Sequence, residues 1–384
     1  MNKAIVIGCH VNGLGVIRSL ALKNIHVIAL HYDKTADFAQ TSCHVSESVE
    51  SPHPGKEEKE FIDFLLRNSD RWKNAILFET NDDAAIAVSK HRNELQQHFH
   101  VVIPDWSVLR TLIVKRETYQ LAKECDVPYP TTLFPASQDD LEKFKNEISF
   151  PCILKPIVSH LFFSEFASKS FKVNNFDQLL AKFDFCSRSG HDVMMQEIIP
   201  GPDSNIYQCM MYIDSQGVSR SAFNTKKLRQ NPPHFGVARV AISDMIYPEM
   251  VKHTERMLAR IGFHGIVHSE FKKDPRDDVF KLMEINGRIS RSNWLTTYCG
   301  MSFPWIALKD LSNNEKLSVN DYKKNLYWIE LSKDISNSIF HHRDENISLR
   351  EYIEPYLSKD KTFADISRTD WKPFFKRILC YFEK

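Results

Sequence analysis

His268-Ser269-Glu270-Phe271-Lys272 and Lys281-Leu282-Met283-Glu284-Ile285-Asn286-Gly287-Arg288 are two strand-like runs separated by the polar residues 273–278. Asp274-Pro275 and Asp277-Asp278 are turn formers, so the two runs read as an antiparallel hairpin. Successive side chains on a strand point to opposite faces, which puts Glu284 and Asn286 on one face, where Glu270 can join them from the partner strand. Two carboxylates and an amide on one face suit Mg²⁺, which takes a few carboxylates and fills its shell with phosphate oxygens and water. Arg288, two positions on, reaches the same face, where a guanidinium would meet a phosphoryl group in transfer. A bland reading competes, because acids on strands are usually just a solvated face. Asn286-Gly287-Arg288, with Ser290 and Arg291 close behind, concentrates more recognition chemistry than a solvated edge requires.

Upstream residues supply the counter-charge. Lys155 ends the apolar run Pro151-Cys152-Ile153-Leu154, and Lys115 opens a helical pattern that continues to residue 124. Residues 225–233, Thr225-Lys226-Lys227-Leu228-Arg229-Gln230-Asn231-Pro232-Pro233, read as a cationic loop after a strand, and Lys226 and Arg229 are its candidate catalytic cations. Gln196-Glu197-Ile198-Ile199-Pro200-Gly201-Pro202-Asp203 reads as a strand entering a Pro/Gly turn. Its backbone is suited to an adenine edge, and Asp203 to a ribose hydroxyl.

The chain opens differently. Apolar runs at 4–7, 25–30, 75–78 and 101–103 alternate with helical spacing at 16–22, 61–66 and 84–91, the pattern of a doubly wound parallel sheet. Gly13 and Gly15 follow the first strand, and Asp33 lies 20 residues past Gly13, as in a dinucleotide site. Arg18 stands where that fingerprint asks for a small residue, and a strand–turn–helix needs glycine for geometry alone. Both readings stay open: an NAD(P)-dependent oxidoreductase, or a glycine turn without cofactor.

Helical spacing at 108–126 stops at Pro128 and Pro130, and 132–134, 139–148 and 152–154 form a small α+β unit. After Gly190 the pattern is strand-rich, at 193–198, 206–213, 219–224 and 237–241, then a helix at 248–261 and the hairpin. Four regions result: 1–105, 106–190, 191–310 and a tail, 311–384, of short helices and loops. With 50 basic and 49 acidic residues in 384, no broad field of one sign exists, so nucleic acid is not an expected bulk partner. Eight cysteines include no Cys-x-x-Cys pair, which speaks against zinc and dithiol chemistry and suits a reducing, cytoplasmic setting. No apolar run has the length of a membrane span.

In chain order, Lys115, Leu154-Lys155-Pro156, the 196–203 run, Glu270 and Glu284-Ile285-Asn286-Gly287-Arg288 resemble the ATP-grasp superfamily of carboxylate–amine ligases, over about residues 1–310. Lys226-Lys227-Leu228-Arg229-Gln230 with Gly236 looks most like the D-aspartate ligase branch. The resemblance implies an α/β chain, with a Rossmann-like N-terminal substrate domain and then two α+β lobes, 106–190 and 191–310. ATP and Mg²⁺ would bind between the lobes. Lys115, Lys155 and Lys169 would contact the nucleotide; Gln196, Glu197, Ile198 and Ile199 would line the adenine, and Asp203 the ribose. Glu270, Glu284 and Asn286 would hold the metal, and Arg288 would steady the γ-phosphate. Asn12, Asp82 and Asp83 are the first expected substrate contacts. A carboxylate and an amine are the implied small-molecule substrates, and a homodimer is compatible with the resemblance. Residues 157–172, where many relatives carry a glycine-rich lid, hold no glycine, which keeps a non-catalytic ATP sensor in view.

Overall fold

The computed structural model describes residues 2–158, 162, 165–166, 170–340 and 347–382. Lys169 and half of the glycine-free region 157–172 lie outside the described residues.

The N-terminal sheet is parallel, in the order β3-β2-β1-β4-β5, built from β1 (Lys3–Ile7), β2 (His26–His31), β3 (Glu47–Glu50), β4 (Ile76–Glu79) and β5 (His100–Val101). Ala4, Val6, Val27 and Ala29 bury on one face, and Ile5, Ile7, Ile28 and Leu30 on the other, as a sheet covered on both sides requires. This is the doubly wound pattern expected from the sequence. The short strand at 47–50, Glu-Ser-Val-Glu, has too little apolar character to be seen beforehand.

Helical spacing at 108–126 breaks into two helices, Trp106–Ile113 and Lys115–Glu124, because Val114 is extended (φ −87°, ψ 107°). Lys115 starts the second of them, as the sequence pattern has it. A four-stranded sheet follows, ordered β6-β9-β7-β8, from β6 (Thr132–Leu133), β7 (Cys152–Pro156), β8 (Phe171–Val173) and β9 (Val193–Glu197). Its apolar face is covered by the helix Phe176–Arg188, whose Leu179, Phe183 and Cys186 pack on Cys152, Leu154 and Met195.

The third sheet has seven strands in the order β14-β13-β10-β11-β12-β15-β16. They are β10 (Ile206–Ile213), β11 (Ser219–Asn231), β12 (Val237–Ser243), β13 (Gly265–Lys273), β14 (Phe280–Asn286), β15 (Tyr327–Ile329) and β16 (Lys361–Phe363). The helix Pro248–Ile261 backs it, opened by proline in its first turn and closed by Gly262 in the left-handed region (φ 66°). Two expectations are corrected. Residues 225–231 are not a loop: β11 runs unbroken to Asn231, paired with β12. The tail is not short helices and loops alone, because β15 and β16 extend this sheet, and its Glu330 and Asp334 are buried in ion pairs with Arg291 and Arg229.

Candidate active site

β13 and β14 form the expected hairpin, with Glu270 directly opposite Glu284 and His268 opposite Asn286. Phe271 then pairs with Leu282, so Met283 is an extra residue on β14. That bulge frees the Met283 carbonyl to accept a hydrogen bond from Tyr119 Oη at 2.8 Å. On the other side of β13, Gln208 of β10 stands opposite both Glu270 and Thr225. One face of four strands thus presents Thr225, Gln208, Glu270 and Glu284 in a row. The row is linked: Thr225 Oγ1 donates to Gln208 Oε1 (3.0 Å), and Gln208 Nε2 donates to Glu270 Oε2 (3.2 Å).

Cations converge on this row. Lys227 Nζ lies 2.6 Å from Glu270 Oε2, and Lys115 Nζ lies 3.5 Å from Glu284 Oε1. Lys155, at the end of β7, donates to Gln196 Oε1 at 2.8 Å. Gln196 is fully buried, and its amide nitrogen donates to Tyr119 Oη and Thr132 Oγ1, both at 2.8 Å. It is therefore a fixed bracket that orients Lys155. Burial, then the neighbouring Lys115, pull the Lys155 amine down to about 8, while Glu284 and Glu270 act the other way. His268, beneath the row, is driven down to about 4, chiefly by burial, and is neutral at physiological pH.

Arg288 leaves the end of β14 and forks onto Asp82 of the N-terminal domain, Nε to Oδ1 at 2.5 Å and Nη2 to Oδ2 at 3.2 Å. It also reaches Asn286 Oδ1 at 3.4 Å. Asp82 opens the helix Asp82–Lys90, so the pair joins the hairpin to the edge of the parallel sheet. His10 lies on the same side. Its Nδ1 accepts from Asn12 N (3.3 Å), which leaves the proton on Nε2, 3.3 Å from Thr80 Oγ1. Asn12 does not face the cleft: its amide donates to the Thr80 and Ile289 carbonyls and pins the two domains.

Several expected residues do not join this cluster. Lys226 points to the other face of β11 and rests over the Tyr207 ring, 5.5 Å from its centroid. Strand alternation selects Lys227, which the loop reading had hidden. Arg229 is buried in a forked pair with Asp334 (2.9 and 2.7 Å), too fully engaged to act on a phosphoryl group. The Glu197 carboxylate accepts from Arg276 at 2.8 Å, and Asp203 pairs with His234 at 3.3 Å. Ile199 is buried and Ile198 half-buried just after β9. Gln208, Thr225, Tyr119 and Lys227 are the members of the cluster that sequence reading passed over. Period-two counting from Glu270 across the paired strands would have found Lys227.

Among the described residues no three His, Cys, Asp or Glu side chains form a metal-binding group; the set expected from the sequence is Glu270, Glu284 and the Asn286 amide. Such an all-oxygen set with two charges fits Mg²⁺, which leaves much of its shell to phosphate and water, better than a transition metal. The dinucleotide alternative loses its footing. A Cβ on Gly13 would sit 2.1 Å from the Gly8 carbonyl oxygen, and one on Gly15 would sit 2.3 Å from Asn293 Oδ1. Both glycines serve close packing. Arg18 is buried against Asp370, and Asp33 caps its own turn by accepting from the Thr35 and Ala36 amides.

This arrangement of a parallel domain and two further sheets has counterparts among solved structures. An L-amino acid ligase from Bacillus licheniformis superposes with TM-score 0.61 at 15% identity, covering 81% of this chain and 74% of that one. The biotin carboxylase domain of a Hydrogenobacter thermophilus 2-oxoglutarate carboxylase, solved with MgADP and bicarbonate, superposes with TM-score 0.63 at 16% identity, covering 85% and 73%. The chain has the ATP-grasp fold, in agreement with the resemblance read from its motifs. No family model matches the sequence. In sequence it is similar to the D-aspartate ligase of Enterococcus faecium (strain Aus0004), 28% identical over 281 residues. That alignment spans 69% of this chain and 66% of the relative, just under two thirds of its length. No helix among the described residues is long and apolar enough to cross a membrane.

Proposed function

We propose that this protein is an ATP- and Mg²⁺-dependent ligase that joins a carboxylate to an amine through an acyl phosphate, releasing ADP and phosphate. The observation that carries the reading is the face on which Glu270, Glu284 and Asn286 stand opposite Lys115 and Lys155, with Lys227 beside them. A carboxylate and a γ-phosphoryl group are both anionic, so a site that brings them together needs cations from several directions. Magnesium, held by Glu270, Glu284 and Asn286, would screen the phosphate charge. Lys115 and Lys155 would hold phosphate oxygens, with Gln196 keeping Lys155 in place. Lys227, drawn to Glu270 in the free protein, would turn to the nucleotide. Arg288 would face the transferring phosphoryl group, and its pairing with Asp82 holds it ready between the domains. The amine then attacks the acyl phosphate, and phosphate leaves.

In this reading residues 1–105 form the substrate domain, 106–190 and 191–310 close on the nucleotide, and 311–384 brace the second lobe. Lys169 would contact the nucleotide, with Glu197 to Ile199 along the adenine and Asp203 near the ribose. The relative's name makes D-aspartate the first carboxylate to try. Eight cysteines free of disulfides, seven of them buried, support a reducing cytoplasm. The deciding experiment measures ADP release with Mg²⁺-ATP across amino acids and small carboxylates, each paired with an amine panel, and identifies products by mass spectrometry. Substrate-dependent ADP release that disappears in Glu284→Ala supports the ligase. Nucleotide binding with no ADP under any pairing would favour a sensor instead.

A further inference from the structure

The terminal helix Lys372–Phe382 is held on one face and bare on the other. On the held face Arg377 is buried between the carboxylates of Glu330 and Asp365, and Cys380 Sγ lies 3.5 Å from the Lys34 carbonyl oxygen. Just ahead of the helix, Asp370 is buried in its pair with Arg18. The orientation of the helix is therefore fixed by the chain itself. Its other face carries Trp371, Phe375 and Leu379, spaced by four, at 53%, 53% and 56% exposure. The Trp371 and Phe375 rings meet edge to face at 5.6 Å, which presents them as one block.

Among the described residues of the helix and its lead-in, the exposed charges are all positive. Lys372 and, shortly before it, Arg368 are exposed, Lys376 is half-buried, and the helix contains no acidic residue. Glu50, near the Cys380 end, is already paired with Lys34 at 3.8 Å. Aromatic and aliphatic side chains flanked by cations meet the two conditions for reversible attachment to an anionic bilayer, apolar insertion and headgroup attraction. A second copy of the chain is a poorer occupant, since a two-fold contact through this face would set its cations against their own copies. The helix Leu349–Leu357 gives the contrast: Leu349, Ile353 and Leu357 are exposed there too, but Glu351 and Glu354 stand among them.

We propose that the face formed by Trp371, Phe375 and Leu379, with Arg368 and Lys372, docks on the headgroup region of a membrane rich in anionic phospholipid. The test is co-sedimentation of the full chain with vesicles of phosphatidylcholine, alone or with about one third phosphatidylglycerol. Binding is expected to be about tenfold stronger on the anionic vesicles and to weaken as salt is raised. It should vanish in the triple variant Trp371→Ser, Phe375→Ser, Leu379→Ser. In Arg368→Glu, Lys372→Glu the preference for anionic lipid should disappear. All five side chains are exposed, so unchanged melting temperatures are expected of both variants. Failure of the unmodified chain to bind, equal binding to neutral vesicles, or full binding by the triple variant would overturn the proposal. So would a concentration-dependent dimer that the triple variant disperses.

Discussion

Glu270 and Glu284 face each other across β13 and β14, and each is met by a lysine from a different part of the chain, Lys227 on β11 and Lys115 at a helix start. Two like charges on adjacent positions repel, so the pair is stable only with cations at hand. In a ligase those cations must exchange partners, from carboxylate to phosphate, as Mg²⁺-ATP arrives.

The two neighbouring lysines of β11 separate cleanly in this scheme. Lys227→Met should lower the rate of ADP formation by about 100-fold, the scale of losing one transition-state contact. Lys226→Met, which removes a cation over Tyr207, should leave the rate near that of the parent. Steady-state kinetics on both variants is the check, and equal losses would refute the face assignment.

Lys155 ties stability to function. Its amine titrates near 8 in the folded chain against an ordinary 10.5, so between these values the unfolded chain holds more protons and stability rises with pH. Below pH 8 the charged amine costs stability. Lys155→Met should therefore melt no lower than the parent at pH 7, while losing most of the thermal shift that Mg²⁺-ATP gives the parent. Thermal denaturation with and without nucleotide reads both effects.

Glu79, buried at the end of β4, is held protonated by desolvation, its pKa pushed up to about 8 from 4.5. The unfolded chain loses that proton above pH 4.5, so this contribution to stability fades as pH rises through 8. Glu79→Gln should gain up to about 4 kcal/mol at pH 7.5 and nothing near pH 4.5. His10 and His268 run the other way, neutral in the fold down to about 3 and 4. Their contribution is present above pH 6.5 and shrinks as acid protonates the unfolded chain. Denaturant titrations across pH would show the opposed slopes.

Glu330 is fully buried between Arg291 and Arg377. Removing its charge takes the carboxylate from Arg291 and leaves Arg377 with Asp365 alone, a change of about 3 kcal/mol. Glu330→Gln should melt well below the parent, whereas Glu58→Gln, at the partly exposed Lys90 pair, should shift stability by about 0.5 kcal/mol. Comparable losses in the two variants would contradict the burial argument.

Local patterns carried the hairpin, the parallel sheet and the order of motifs, because each rests on short-range alternation or on apolar runs. That Glu270 and Glu284 share one face, with Lys115 at hand, was legible in this way. Lys227 was not, because the cluster Lys-Lys-Leu-Arg-Gln looked like a loop and concealed the strand on which alternation could be counted. The burial of Arg229 was hidden for another reason: its partner, Asp334, lies 105 residues away, and no local signal announces such a pairing. The two strands of the tail were missed because β15 and β16 are three residues each and gain their stability only as outer strands of a sheet formed elsewhere.

Arg18, in the first helix, meets its carboxylate only at Asp370, 352 residues later. During synthesis on the ribosome a bare guanidinium must stay in contact with water until that distant segment has been made. The final burial of Arg18 in the first helix therefore waits until residue 370 has left the ribosome, at the very end of translation.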